Sequence, residues 1–211
     1  MALPLDVSKP FRFHRELLQL VNAVLNAGGA DEARWIEWKG TLDLATGPGQ
    51  HHLARQILGF ANRDPDVAAR WAGGYAYLIV GAEPGVTKPA GVAVVDAATL
   101  EGQLAKWLPG EIVWNMDYVR IGDADVLVIA VDPPSWGDPI HTLQKTIGNH
   151  APGTVFTRHQ ASIDTANPAD MRMLQHRYAA GSRRTRLAIT PSVVEVETRP
   201  DVKRVHRRVA G

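Results

Sequence analysis

Glu32-Ala-Arg-Trp-Ile-Glu37-Trp-Lys39 is the stretch on which the fold turns. From Arg34 to Lys39 the residues alternate, with Trp35, Glu37 and Lys39 on one side and Arg34, Ile36 and Trp38 on the other. That pattern predicts a half-buried β-strand with two charged groups on one face. Upstream, His14 to Ala27 spaces Leu17, Leu18, Val21, Val24 and Leu25 as an amphipathic helix, and Gly28-Gly29 is a natural stop.

Downstream, Gly47-Pro48-Gly49 reads as a break, and His51 to Asn62 as a second helix with Leu53, Ile57, Phe60 and Ala61 on one stripe. Residues 63–72, with their Asp-Pro-Asp, read as a loop. Gly74 to Gly81 is a short, continuously apolar run, as expected of a central strand buried on both faces. Ala97 to Leu108 spaces Leu100, Leu104, Trp107 and Leu108 as a third helix closed by Pro109-Gly110. Ile112 to Val119 alternates as a strand, and the turn Gly122-Asp123-Ala124-Asp125 leads into Val126–Val131, which predicts a hairpin. Thr154–Thr157 is a further short strand, and Asn167-Pro168 opens a helix through Tyr178. Helices alternate with strands early, and strands pair later. The expected fold is therefore α/β in the broad sense (α+β), a mixed sheet flanked by helices. The expected organisation is a helical segment at 1–29, a domain at 30–180 and a basic extension at 181–211.

With 45% hydrophobic and 21% charged residues, the 211-residue chain belongs with ordinary globular proteins. A chain without cysteine forms neither disulfides nor a thiolate zinc site. No apolar run approaches the roughly 18–20 residues that span a bilayer, and Met1-Ala-Leu-Pro-Leu-Asp lacks a signal-peptide pattern, so the cytoplasm is the expected location. The net charge of +1 by itself points to no polyanionic partner. The distribution says more: Arg183, Arg184, Arg186, Arg199, Lys203, Arg204, Arg207 and Arg208 face only Glu195, Glu197 and Asp201. Such an extension is either a phosphate-binding arm, releasing counterions as it binds, or a solvated tail.

Three carboxylates sit beside defined elements: Glu32 before the first strand, Glu37 within it and Glu83 just after the buried run. Clustered carboxylates raise one another's pKa and are relieved by a divalent cation, for which oxygen ligands favour Mg²⁺ or Mn²⁺. Such a cation can activate water in phosphodiester cleavage, and Lys39 can offset the developing charge. Glu32 and Glu37 are five residues apart, so their convergence requires a bend near Asp31–Arg34. The plainer reading is acids at strand ends, solvated or paired with a nearby lysine. His51 and His52 point about 100° apart on a helix and make a poor chelate. Gly81-x-x-x-Gly85 lacks the Lys-Ser/Thr of a phosphate-binding loop. Of the six tryptophans, Trp35 is the candidate stacking platform, and Trp38, Trp107 and Trp114 lie on apolar faces. Arg63 either meets phosphate or sits as a cation at its helix C-terminus.

The ordered set Glu37-Trp-Lys39, Ile57-Leu-Gly-Phe-Ala-Asn62, Gly73-Gly74-Tyr-Ala-Tyr-Leu-Ile-Val-Gly81 and Gly91 resembles the Schlafen AlbA-like domain family. Val126–Val131, Pro139-Ile140 and Gly153-Thr-Val-Phe-Thr-Arg158 resemble its later segments, so the likeness covers about residues 30 to 165. The chain departs from the family's Val-Asp with Ala82-Glu83-Pro84, and its segment before Gly73 is longer than usual. In the nuclease branch, two glutamates spaced as Glu32 and Glu37, with an acid where Glu83 stands, hold a divalent metal and cleave structured RNA such as tRNA. The resemblance therefore implies a bacterial metal-dependent endoribonuclease with Glu32, Glu37 and Glu83 on Mg²⁺ or Mn²⁺. Lys39 would sit at the scissile phosphate, and Lys39, Arg63, Arg158, Arg183, Arg184 and Arg186 would contact nucleic acid. A single short copy implies a homodimer. The alternatives are a non-catalytic DNA- or RNA-binding module and an interaction subunit of a larger assembly.

Overall fold

The structure is a computed structural model and describes residues 3–28, 33–160 and 162–181. Four strands form a mixed sheet in the order β1-β2-β4-β3: β1 Ile36–Lys39, β2 Ala76–Val80, β3 Trp114–Ile121 and β4 Ala124–Val131. β1 runs parallel to β2, which pairs antiparallel with β4, and β3 and β4 form the expected hairpin across Gly122-Asp123. The architecture is α+β, as the alternation of periods anticipates. No helix among the described residues is long and apolar enough to cross a membrane.

Helix α1, His14–Leu25, and the segment before it cover one face of the sheet. Leu20, Val21 and Val24 pack there with Ile36, Trp38, Tyr77 and Ile79. The Tyr77 hydroxyl fastens this layer by accepting a hydrogen bond from Phe11 N at 2.8 Å. Helix α2, Gly47–Ala61, and helix α4, Ala97–Leu104, cover the other face with Leu53, Ile57, Phe60 and Leu100 against Leu78, Val80 and Ile129. The antiparallel pair β5, Phe156–Arg158, and β6, Ile163–Thr165, lies on this α2 side. Residues 168–181 are helical, and Asn167 caps them by accepting from the Ala169 and Asp170 amides.

Three local readings need correction. Gly47-Pro48-Gly49 does not break the chain but opens α2: Thr46 caps it, accepting from Gly49 N at 3.3 Å, and Pro48 occupies the first turn, where its missing N–H costs nothing. The loop expected at 63–72 contains a short helix α3, Pro65–Ala68, started by Asp64, which accepts from Val67 N at 2.9 Å. Trp35 does not share the face of Glu37. The chain turns at Arg34-Trp35, the alternation begins only at Ile36, and the Trp35 ring is buried between Phe11 and Tyr77.

Gly81 and Gly91 have a shared reason. Both adopt positive φ, Gly91 N donates to Gly81 O at 2.8 Å, and a Cβ on Gly81 would run into the Gly91 backbone. The contact folds the chain back at the end of β2, beside the site described next.

Candidate functional site

Because β1 pairs in register Glu37↔Leu78 and Lys39↔Val80, Glu37 and Lys39 share the face turned toward α2. Glu37 is 3% exposed, so its charge needs compensation, and it has two cations. Lys39 Nζ lies 2.8 Å from Oε1, and Arg158 Nη1 of β5 donates to Oε2 at 2.5 Å. Arg158 also donates through Nη2 to Ala33 O and Ile36 O at 3.1 and 3.0 Å, with its guanidinium over the Phe60 ring. Burial pushes the Glu37 pKa up, but hydrogen bonds and charge from Lys39 and Arg158 outweigh it, and the carboxyl sits below its ordinary value. The Arg158 side chain is wholly inaccessible, whereas that of Lys39 is 40% exposed. Lys39 is therefore the solvent-facing member of the trio.

Glu83 follows β2 and is exposed, and its carboxylate lies where a side chain on Gly40 would begin. Glu83 thus stands past the ends of β1 and β2, whereas Glu37 is the second residue of β1 and is taken up by Lys39 and Arg158. Glu32 lies outside the described residues. Among the described residues no group of three or more His, Asp or Glu side chains is placed to hold a metal ion. Both oxygens of Glu37 are engaged by cations, and a metal would meet two positive charges already in place. As arranged, the described residues do not fit a divalent ion.

Beside Lys39, a cleft of about 840 Å³ opens at the start of α2, with Thr41, Asp43, Thr46, His52 and Gly91 among its walls. Burial, with the nearby Lys39 charge, pushes the His52 pKa down to about 4, so the ring is neutral at pH 7. Its Nε2 lies 3.3 Å from the Gln56 side-chain nitrogen. His51 instead sets its ring against Trp107, so the two histidines diverge as their helical spacing requires.

The other expected phosphate contacts separate into two groups. Arg63 and Arg158 are each 6% exposed. Arg63 donates to Phe60 O and Gly74 O at 2.7 and 2.8 Å, which makes it a cation at the α2 C-terminus rather than a surface group. Arg183, Arg184 and Arg186 lie outside the described residues. Sequence reasoning did not find Arg177, which is fully buried and donates to Ala61 O, Arg63 O and Pro139 O. It also missed the work of Asn62, whose side chain bonds His141 O, Phe156 O and His141 N. The helix-ending Phe-Ala-Asn was the available signal for Asn62, but its partners lie 79 and 94 residues away.

Charge is segregated along the chain. The residues after 182 carry eight Lys or Arg against three acids, and those before carry 15 against 19. Of those 15, Arg63, Arg158 and Arg177 are buried.

No protein-family model matches the sequence, and no curated protein matches it. Among solved structures, the chain is similar to the N-terminal domain of a protein from Nitrosomonas europaea described as related to the ATP-dependent DNA helicase RecG, determined by solution NMR. The identity is 20% and the TM-score 0.42, over 72% of this chain and 91% of that chain.

Proposed function

We propose that this chain is a non-catalytic nucleic-acid-binding protein in which the basic residues 183–208 supply the phosphate affinity and the folded domain presents Lys39 at the cleft. The observation that carries this reading is the charge segregation. An acidic domain with three arginines turned inward attracts no polyanion by its overall field, while a segment with eight cations and three acids does. The resemblance to the Schlafen AlbA-like family makes nucleic acid the polyanion of choice. Binding of fluorescent tRNA and of duplex DNA to the full chain, measured across salt concentrations, tests it. Replacing Arg183, Arg184 and Arg186 together by alanine lowers the slope of log K against log salt by roughly 2–3, at about 0.7–0.9 per lost phosphate contact. An unchanged slope, or no binding to either probe at low salt, refutes the proposal.

A metal-dependent endoribonuclease is the second reading. It is favoured by the Glu83 carboxylate standing against Gly40, the residue that follows Lys39. It requires Glu37 to exchange a cation for Mg²⁺ or Mn²⁺ and Glu32 to join it. Incubation of the full chain with tRNA and either metal, beside EDTA and Glu37→Gln controls, decides the matter. Cleavage abolished by both controls establishes the enzyme, and binding without cleavage in every metal sinks it. A homodimer belongs to the same proposal, and light scattering of the full chain measures it.

A further inference from the structure

A second cavity, of about 260 Å³, lies at the C-terminal end of α2, away from the Glu37 trio and unused by either reading above. Its lining includes Ala61, Glu111, Asp132, Ser135, Asp138 and His141, and no lysine or arginine lines it. His141 is 5% exposed and held rigidly, its backbone N and O both bonded to the Asn62 side chain at 3.0 and 2.7 Å. Its ring Nδ1 is buried without a hydrogen-bond partner, and the Glu111 Oε1 it faces is 3.6 Å away, beyond bonding distance. An unpartnered buried ring nitrogen has lost its water without a replacement, a cost that a polar ligand would relieve.

The carboxylates are equally unanswered. The Asp132 side chain makes no hydrogen bond or ion pair among the described residues, and burial pushes its pKa up, only partly offset by the Arg12 charge. Asp138 Oδ2 accepts from Ser135 N at 2.6 Å, and the Arg177 charge acts on Asp138 without an ion-pair contact among the described residues. Burial and the Arg177 charge push the His141 pKa down, so the ring is neutral. Three acids and one neutral imidazole therefore surround the space, and the nearest cation, Arg177, stands behind its wall on the Ala61 and Pro139 carbonyls, one positive charge against three carboxylates. A metal ion does not suit them, because no three of these groups are close enough to share one ion. Acceptors spread around a cavity suit a cation whose donors are spread too, and guanidinium carries five N–H groups in a flat fork.

We propose that this cavity is a guanidinium-binding site, with Glu111, Asp132 and Asp138 as acceptors beside the buried His141 ring. The same chemistry has two sources, a small free guanidine or an arginine of this chain. The sequence supplies arginines two and three residues past Gly181. Gly181 is packed against Gly137, next to Asp138, Gly137 N donates to Arg177 O at 3.0 Å, and Arg183 and Arg184 follow directly in sequence.

The test uses the full chain labelled for NMR of the histidine rings, titrated with agmatine, and with putrescine as an amine lacking guanidinium. Saturable movement of the His141 Nδ1 resonance by agmatine, at least tenfold weaker with putrescine and in Asp132→Asn, supports the site with a free ligand. Agmatine binding that becomes at least tenfold tighter when Arg183, Arg184 and Arg186 are replaced by alanine supports the site with the chain's own arginines as occupant. No saturable movement in either background, or movement indifferent to Asp132→Asn, overturns it. Asp132→Asn removes no bond that holds the fold, so loss of binding there is not loss of structure. Neither outcome depends on whether nucleic acid binds.

Discussion

Replacing Glu37 by glutamine separates a structural counterion from a reserved metal ligand. The carboxylate is 3% exposed and holds Arg158, which is wholly buried, and Lys39, which is 40% exposed. Removing one member of a buried pair costs about 3–5 kcal/mol, because the partner stays buried without its countercharge. Here two features pull toward the lower end. Arg158 keeps its bonds to Ala33 O and Ile36 O, and Lys39 can turn to water. The expected loss is about 3 kcal/mol, which for a domain of this size lowers Tm by roughly 6–12 °C. Arg158→Met costs a similar amount, and Lys39→Met about 1 kcal/mol or less, since an exposed ion pair contributes little. Glu37→Gln combined with Arg158→Met costs less than the sum of the two, because no charge is then left stranded.

Urea unfolding followed by circular dichroism measures all four variants. The pH dependence adds a second readout. Glu37 has a pKa below its ordinary 4.5, so its contribution is complete above that value and is lost as pH falls through the lowered one. The gap between wild type and Glu37→Gln therefore closes in acid. A metal ligand held ready beside other carboxylates behaves in the opposite way, since neutralising it in metal-free buffer relieves repulsion. A Glu37→Gln protein as stable as wild type, or more stable, refutes the counterion argument.

Asn62→Ala removes three buried hydrogen bonds to the His141 and Phe156 backbone and leaves those groups unsatisfied, so a loss of about 3 kcal/mol is expected in the same urea assay. A loss under 1 kcal/mol means that the staple is not needed. Tyr77→Phe leaves the buried Phe11 N–H without its acceptor at a cost of about 1–3 kcal/mol, and it speeds amide exchange at Phe11. Exchange at wild-type rate contradicts the docking of the segment before α1. The expected midpoint for His52 in an NMR titration is about pH 4 rather than 6.5. The unfolded chain takes up that proton first, so stability falls as pH drops from 6.5 toward 4, and His52→Gln flattens that stretch. A midpoint near 6.5 contradicts its burial beside Lys39.

What the sequence made legible follows the range of the interactions. Period-two alternation placed Glu37 and Lys39 on one face, and continuous apolarity marked β2 as central, because both depend on neighbours two to eight residues apart. The turn at Arg34-Trp35 carries no glycine or proline, so nothing local warned that Trp35 leaves the strand for the Phe11–Tyr77 cluster. Thr46 followed by Gly47-Pro48 was readable as a cap, yet two glycines beside a proline mimic a breaker. The Arg158–Glu37 pair joins residues 121 apart, and although the resemblance singled out Arg158, it did so as a nucleic-acid contact, with no local pattern tying it to Glu37. The cavity beside His141 was invisible for the same reason, since Glu111, Asp132 and Asp138 meet only once β3, β4 and the loop after them are in place.

The three buried arginines deepen an acidity that the residues before 182 already carry by count, 15 Lys or Arg against 19 Asp or Glu. Arg63, Arg158 and Arg177 donate to backbone carbonyls of Phe60, Gly74, Ala33, Ile36, Ala61 and Pro139, joining the end of α2 to the Gly73-Gly74 segment, to β1 and to the helix at 168–181. Among the described residues, Arg158 alone of the three has a carboxylate partner. Arg63 and Arg177 instead face the carbonyl end of α2, where aligned peptide dipoles and unsatisfied oxygens supply negative potential. A lysine could not replace them, because a point charge cannot reach several carbonyls in one plane. Positive charge used in this way holds elements together and is withdrawn from the surface. Under the proposed function Lys39 and the residues after 182 are the attachment points for a polyanion, so mutating them, rather than Arg63, is the way to separate binding from folding.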